Sequence, residues 1–88
     1  MKATIILSKH AKKRMNERKI TSLPLQDVRI YTDRFDKLKF YLNIRTDVKK
    51  GFLVLVKVGK HKYVVKTITK RGKIDDRSFV FYEGVVVQ

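Results

Sequence analysis

The chain has no cysteine, which excludes disulfides and thiolate metal ligands and leaves the redox compartment unmarked. It has no apolar run approaching the ~20 residues of a membrane-spanning helix. Its opening, Met1-Lys2-Ala3-Thr4-Ile5-Ile6-Leu7, begins like a secretory leader, but charge follows from Lys9. Ala3 to Leu7 therefore reads as a strand and not as a targeting signal, and the expected location is the cytoplasm, with no membrane partner. A Gly-rich phosphate loop, a nucleophile elbow and a zinc-finger spacing are all missing. The two histidines, His10 and His61, fall on different predicted elements, and Asp75-Asp76 are adjacent, so on a strand they point apart. Neither arrangement suits a metal, and no metal or cofactor is expected.

Acidic residues are also scarce. Eight Asp and Glu face 22 Lys and Arg, a formal net charge of +14 on 88 residues. A small domain this basic favours a polyanion, above all a phosphate backbone. Hydrophobic residues make up 43% of the chain, enough for a packed core and against disorder. The length allows a single small domain, residues 1–88, and no repeat or linker divides it.

The strongest local signal is a helix over Ser8 to Ile20. Ser8 is placed to cap it. Leu7, Ala11 and Met15 recur at i, i+4 and i+8 as an apolar stripe. His10, Arg14 and Arg18 recur at the same spacing, each one residue earlier, and so border that stripe. Pro24 suits either the first turn of a short second helix or a connection into a strand at Val28-Arg29-Ile30.

From Leu38 the period changes to two: Leu38, Phe40, Leu42 and Ile44 alternate with Lys39, Tyr41, Asn43 and Arg45. Phe52 to Val58 reads as a buried strand. It forms a hairpin through Gly59-Lys60 with Lys62 to Lys70. Ser78 to Tyr82 and Val85 to Val87 form the last strand, broken by a turn or bulge near Glu83-Gly84. The expected fold is α+β, with one or two N-terminal helices on an antiparallel β-meander of about four strands.

Two basic clusters are candidate nucleic-acid contacts. One is the helix, with Lys9 and Lys13 beside Arg14 and Arg18. The other runs from Lys57 to Lys73, where Lys57, Lys60, Lys62, Lys66, Lys70, Arg71 and Lys73 come with no acid between them. In a regular strand Lys62, Lys66 and Lys70 share one face and can track a phosphate backbone; a merely solvated face is the plain alternative.

Metal-independent RNA cleavage needs a base, an acid and a cation at the phosphorus oxygens. His10 suits the first or second role and Arg14 and Arg18 the third, which makes these three the candidate catalytic set. Glu17 suits an ion pair with Lys13 or Arg14 better than it suits a base. His61, Tyr63 and Lys66 are secondary candidates. A helix-turn-helix is disfavoured by the single good helix.

The stretch His10-Ala11-x-x-Arg14-Met15-x-x-Arg18-x-Ile20 resembles the opening motif of a family of small bacterial, plasmid and phage domains of unassigned function. Val64-Val65-Lys66-Thr67-Ile68-Thr69-Lys70-Arg71 is similar to a late strand of those domains. The resemblance implies a fold like the RelE/ParE-like toxins, with Thr67 and Lys70 or Arg71 facing His10, Arg14 and Arg18. It also implies an acidic antitoxin as partner. Leu23 to Lys50 departs from that pattern.

The function expected is RNA binding, RNA being weighed ahead of DNA, with toxin-like endoribonuclease activity as its enzymatic form. A non-catalytic nucleic-acid-binding protein of plasmid or phage origin is one alternative. An interaction or inhibitor module that docks on a host protein is another; Val85-Val86-Val87 would give it an exposed strand edge.

Overall fold

β-Branched and aromatic residues alternate with polar ones through most of the chain, a pattern that fits a pleated surface buried on one side. The computed structural model describes residues 1–17, 20–33, 35–46, 50–69 and 78–88, with the backbone alone for 20–22, 45–46 and 50. Its elements are β1 (Lys2–Ile6), α1 (Lys9–Glu17), β2 (Ile20–Ser22), β3 (Gln26–Thr32), β4 (Lys39–Thr46), β5 (Lys50–Gly59), β6 (Lys62–Thr69) and β7 (Phe79–Val87). The strand order is β2-β4-β3-β7-β1-β6-β5, and β5 pairs back onto β4. That pairing closes six strands, β4-β3-β7-β1-β6-β5, into a barrel. β2 is an appendage, paired with Arg45 and Thr46 of β4 beyond the stretch Phe40 to Leu42 that pairs with β3.

The closed barrel overturns the expected α+β fold with helices on an open, RelE/ParE-like meander. Strands β3 to β6 do run as an antiparallel meander, but an open meander leaves two unpaired edges. The chain's first and last strands fill the gap. β7 pairs antiparallel with β3, and β1 pairs parallel with both β7 and β6. β1 is thus an inner strand. Val85, Val86 and Val87 pair with Ala3, Thr4 and Ile5 on one side, while on the other the pairing with β3 ends at Gln26 and Gly84. β7 is not broken near Glu83-Gly84. It changes partner there: Gly84 lies opposite Gln26 on one side and Lys2 on the other.

Two local expectations also change. The segment after Pro24 forms β3 and no second helix, because it pairs with β4 and β7 on its two sides, which turns Val28 and Ile30 inward and Arg29 and Tyr31 outward. The helix is shorter than Ser8 to Ile20, since it spans Lys9–Glu17 and Ile20 already belongs to β2. Leu38 is 73% exposed in the turn before β4 and does not join the inward row of Phe40, Leu42 and Ile44.

Inward residues from every barrel strand fill the interior, among them Ile5, Ile30, Leu42, Leu53, Leu55 and Val65. Each fully buried Leu or Ile contributes roughly 1.5–3 kcal/mol. A barrel of roughly eight strands is just wide enough to be filled by its own side chains. This one, with six, is packed with inward apolar side chains. α1 packs against β6 and β2. Ala11 is buried in the core, with Leu7 and Met15 packed on it. Ser8 caps the helix, its Oγ accepting the Ala11 N–H at 3.1 Å and its carbonyl accepting the Lys12 N–H at 3.0 Å.

Candidate nucleic-acid interface

The apolar stripe that holds α1 on the barrel turns its polar residues outward. Lys9, His10, Lys12 and Lys13 are exposed and Arg14 is half-buried. Arg14 Nε donates to His10 Nε2 at 3.0 Å. A ring nitrogen that accepts carries no proton, so the neutral ring holds its proton on Nδ1. Arg18, the third member of the set, lies outside the described residues.

Because α1 packs on β6, the basic helix and the basic strand are neighbours. Lys62 and Lys66 are both exposed on β6. Their strand is not regular, however. Val54 pairs with Thr67 but Leu55 pairs with Val65, so Lys66 occupies a bulge. The bulge leaves Lys66 and Thr67 both exposed and sends Ile68 inward. The simple alternation expected for Lys62, Lys66 and Lys70 therefore fails after Val65. Lys70 and Arg71 lie outside the described residues. Lys57 and Lys60 add exposed cations at the end of β5 and in the turn.

Two secondary candidates, His61 and Tyr63, are tied together through Tyr82. Tyr63 is fully buried inside the barrel, and its hydroxyl meets that of Tyr82 at 2.7 Å. Burial, then the Tyr82 bond, pushes the Tyr63 hydroxyl pKa up. The Tyr82 hydroxyl also meets His61 Nδ1 at 3.0 Å. His61 sits in the β5–β6 turn with φ 57°, a left-handed conformation in which His is enriched. The three side chains form one hydrogen-bonded row, with edge-on ring contacts between His61 and Tyr82 and between Tyr82 and Tyr63. Its role is to satisfy polar groups that burial would otherwise leave unpaired.

A further surface went unread in the sequence. On β3, β4 and β7 the outward residues are Arg29 and Tyr31, Tyr41 and Asn43, and Phe79 and Phe81. Register places Tyr31 between Tyr41 and Phe79, and Arg29 opposite Phe81. Phe79 is 44% and Phe81 47% exposed. The Arg29 guanidinium carbon stands 5.1 Å from the Phe79 ring centroid, and the Tyr31 ring is 5.6 Å from it. Beside them opens a depression of ≈ 270 Å³ lined by Pro24, Asp27, Arg29, Tyr31 and Asn43, with Val28 and Leu42. The signal was the alternation Phe79-Val80-Phe81-Tyr82, which a buried strand explains equally well until its neighbours are known.

Below this surface the β3–β4 turn is fixed by Asp33. Its carboxylate accepts the Tyr41 hydroxyl at 2.7 Å and the N–H groups of Phe35 and Asp36 at 2.7 and 3.0 Å. The Tyr41 bond, then those of Phe35 and Asp36, hold the Asp33 carboxyl below the ordinary aspartate range. The same carboxylate, by its bond and then with burial and its charge, pushes the Tyr41 hydroxyl up from 10.0 to about 12.

Among the described residues no group of His, Cys, Asp and Glu is placed to hold a metal ion. Also among them, no helix is long and apolar enough to cross a membrane. Compared with protein-family models, curated proteins and solved structures, the chain matches none.

Proposed function

We propose that this protein binds RNA through the basic surface formed by α1 and β6. The observation that carries the reading is that α1, with exposed Lys9, Lys12 and Lys13, packs against β6, with exposed Lys62 and Lys66. The net charge of +14 adds a long-range field of the same sign. Phosphate contacts of this kind release counterions, so binding weakens steeply with salt. Fluorescence anisotropy of a labelled RNA over a salt series tests it. Replacing Lys62 and Lys66 by Gln lowers affinity at low salt and flattens the log–log salt slope by ~1 for each phosphate no longer neutralised. An unchanged slope and affinity would sink the reading.

A second reading, metal-independent RNA cleavage, is favoured by the His10–Arg14 contact. It sets an imidazole beside a cation, with His10 Nε2 accepting from Arg14 Nε. His10 would supply the acid or the base and Arg14 the phosphate clamp. On this second reading an acidic antitoxin that covers the basic face would be the partner.

A further inference from the structure

We propose that the outer face of β3 and β7 is a base-stacking subsite for single-stranded nucleic acid, with Arg29, Tyr31, Phe79 and Phe81 as its platform. The inference rests on the RNA-binding reading and adds that the ligand is unpaired.

Phe79 and Phe81 stand outward on a barrel whose interior is already filled, and Val80 between them is 39% exposed as well. Aromatic rings on an outer sheet wall cost solvation and contribute nothing to the core. Their neighbours are not those of a purely apolar contact. Arg29 lies over one ring and, among the described residues, pairs with no carboxylate. A guanidinium against an aromatic ring keeps N–H groups for phosphate and a second face for a base. Every base has a π-face, so such a platform takes bases with little regard to sequence. It takes them only when they are unstacked, which a duplex does not offer.

The adjoining depression fits a base better than a phosphate. Its polar lining residues are Asp27, Arg29, Tyr31 and Asn43. A carboxylate repels phosphate but accepts the exocyclic amino group of a base, and an amide can both donate and accept. Asp27 adopts a left-handed backbone, with φ 52°, near the start of β3.

The platform and the lysines are separate. Thr4 of β1 lies opposite both Lys62 and Val86, and β1 runs parallel to β6 and β7. Phe81 is therefore five residues before the level of Lys62, or ~17 Å along the wall. Lys66 lies on the far side of that level. The two surfaces should contribute independently to the binding of a strand long enough to reach both.

The test compares labelled oligouridylate with a duplex RNA of equal length, using wild type, Tyr31→Ala/Phe79→Ala and Phe79→Leu. The last variant keeps an apolar side chain but removes the ring; thermal melting confirms that each is folded. The expected result is about tenfold weaker binding of the single strand by the double variant. Phe79→Leu shows a smaller loss in the same direction, and duplex affinity and salt slope are unchanged. Wild-type affinity in folded variants, or equal loss for duplex and single strand, overturns the subsite and leaves RNA binding by the lysines standing. Salt-insensitive or undetectable binding of both RNAs by wild type overturns both proposals. Self-association in sedimentation that Phe81→Lys abolishes, with single-strand binding intact, assigns the platform to a second copy of the chain and overturns the inference.

Discussion

At the scale of single residues the fold depends on a few polar groups that have no water to turn to. The Tyr63 hydroxyl is buried, and its partner there is the Tyr82 hydroxyl. Tyr82→Phe leaves that hydroxyl unpaired and removes the contact of His61, so it should cost roughly 1–3 kcal/mol in urea unfolding. Changing both tyrosines to Phe should cost less than the sum of the single changes, because no buried orphan remains. Tyr41 and Asp33 give a pH signature. The folded Asp33 carboxyl is depressed, so its contribution is present above the ordinary aspartate pKa and fades as pH falls through the folded value. Tyr41 is raised, so its contribution is complete below pH 10.0 and fades as pH rises through about 12. Absorbance titration should show a tyrosine ionising near 12 that moves toward its ordinary value in Asp33→Asn and disappears in Tyr41→Phe. A titration identical in all three proteins would refute the pair.

At the scale of elements, α1 is only nine residues long and too short to persist alone. It holds through Ser8 and through Ala11 and Met15 on the core. Ser8→Ala should destabilise by ~1 kcal/mol, read by urea unfolding, and should weaken RNA binding only as far as α1 frays. Gly84 marks where β7 changes partner. A Cβ there would stand 3.3 Å from the Leu25 carbonyl oxygen, which also accepts the Val85 N–H at 3.2 Å. Gly84→Ala must push that carbonyl aside or lose the bond, and a lower melting temperature is expected. β4 and α1 were legible because each carries its period within itself: Phe40, Leu42 and Ile44 at spacing two, Ala11 and Met15 at spacing four; β5 was legible as an almost wholly apolar, β-branched run. β3 was ambiguous because Pro24 fits a helix start as well as a strand entry. Nothing local decides which of these wins, and only the pairing of Val28 with Tyr82 and Ile30 with Leu42 does.

At the scale of the whole molecule, the closure of the barrel was the illegible step. Ala3 to Ile5 and Val85 to Val87 are short apolar runs at opposite ends of the sequence, and no periodicity says that they pair, or that they pair in parallel. The same closure hid the aromatic platform, since Phe79 and Phe81 become an outer face only when β3 fixes their register. The basic helix and the β6 lysines, by contrast, were visible as composition, and the packing of α1 on β6 makes the two elements neighbours.

Binding of RNA by this surface is tested most simply by incubating the protein with labelled single-stranded RNA in EDTA over a salt series. Wild type, Lys62→Gln/Lys66→Gln and His10→Ala are compared side by side. The expected outcome is binding that weakens steeply with salt, with a shallower slope for the lysine variant. Cleavage by wild type that disappears in His10→Ala would add the enzymatic reading to it. Binding that is absent, or indifferent both to salt and to the two lysines, would contradict it.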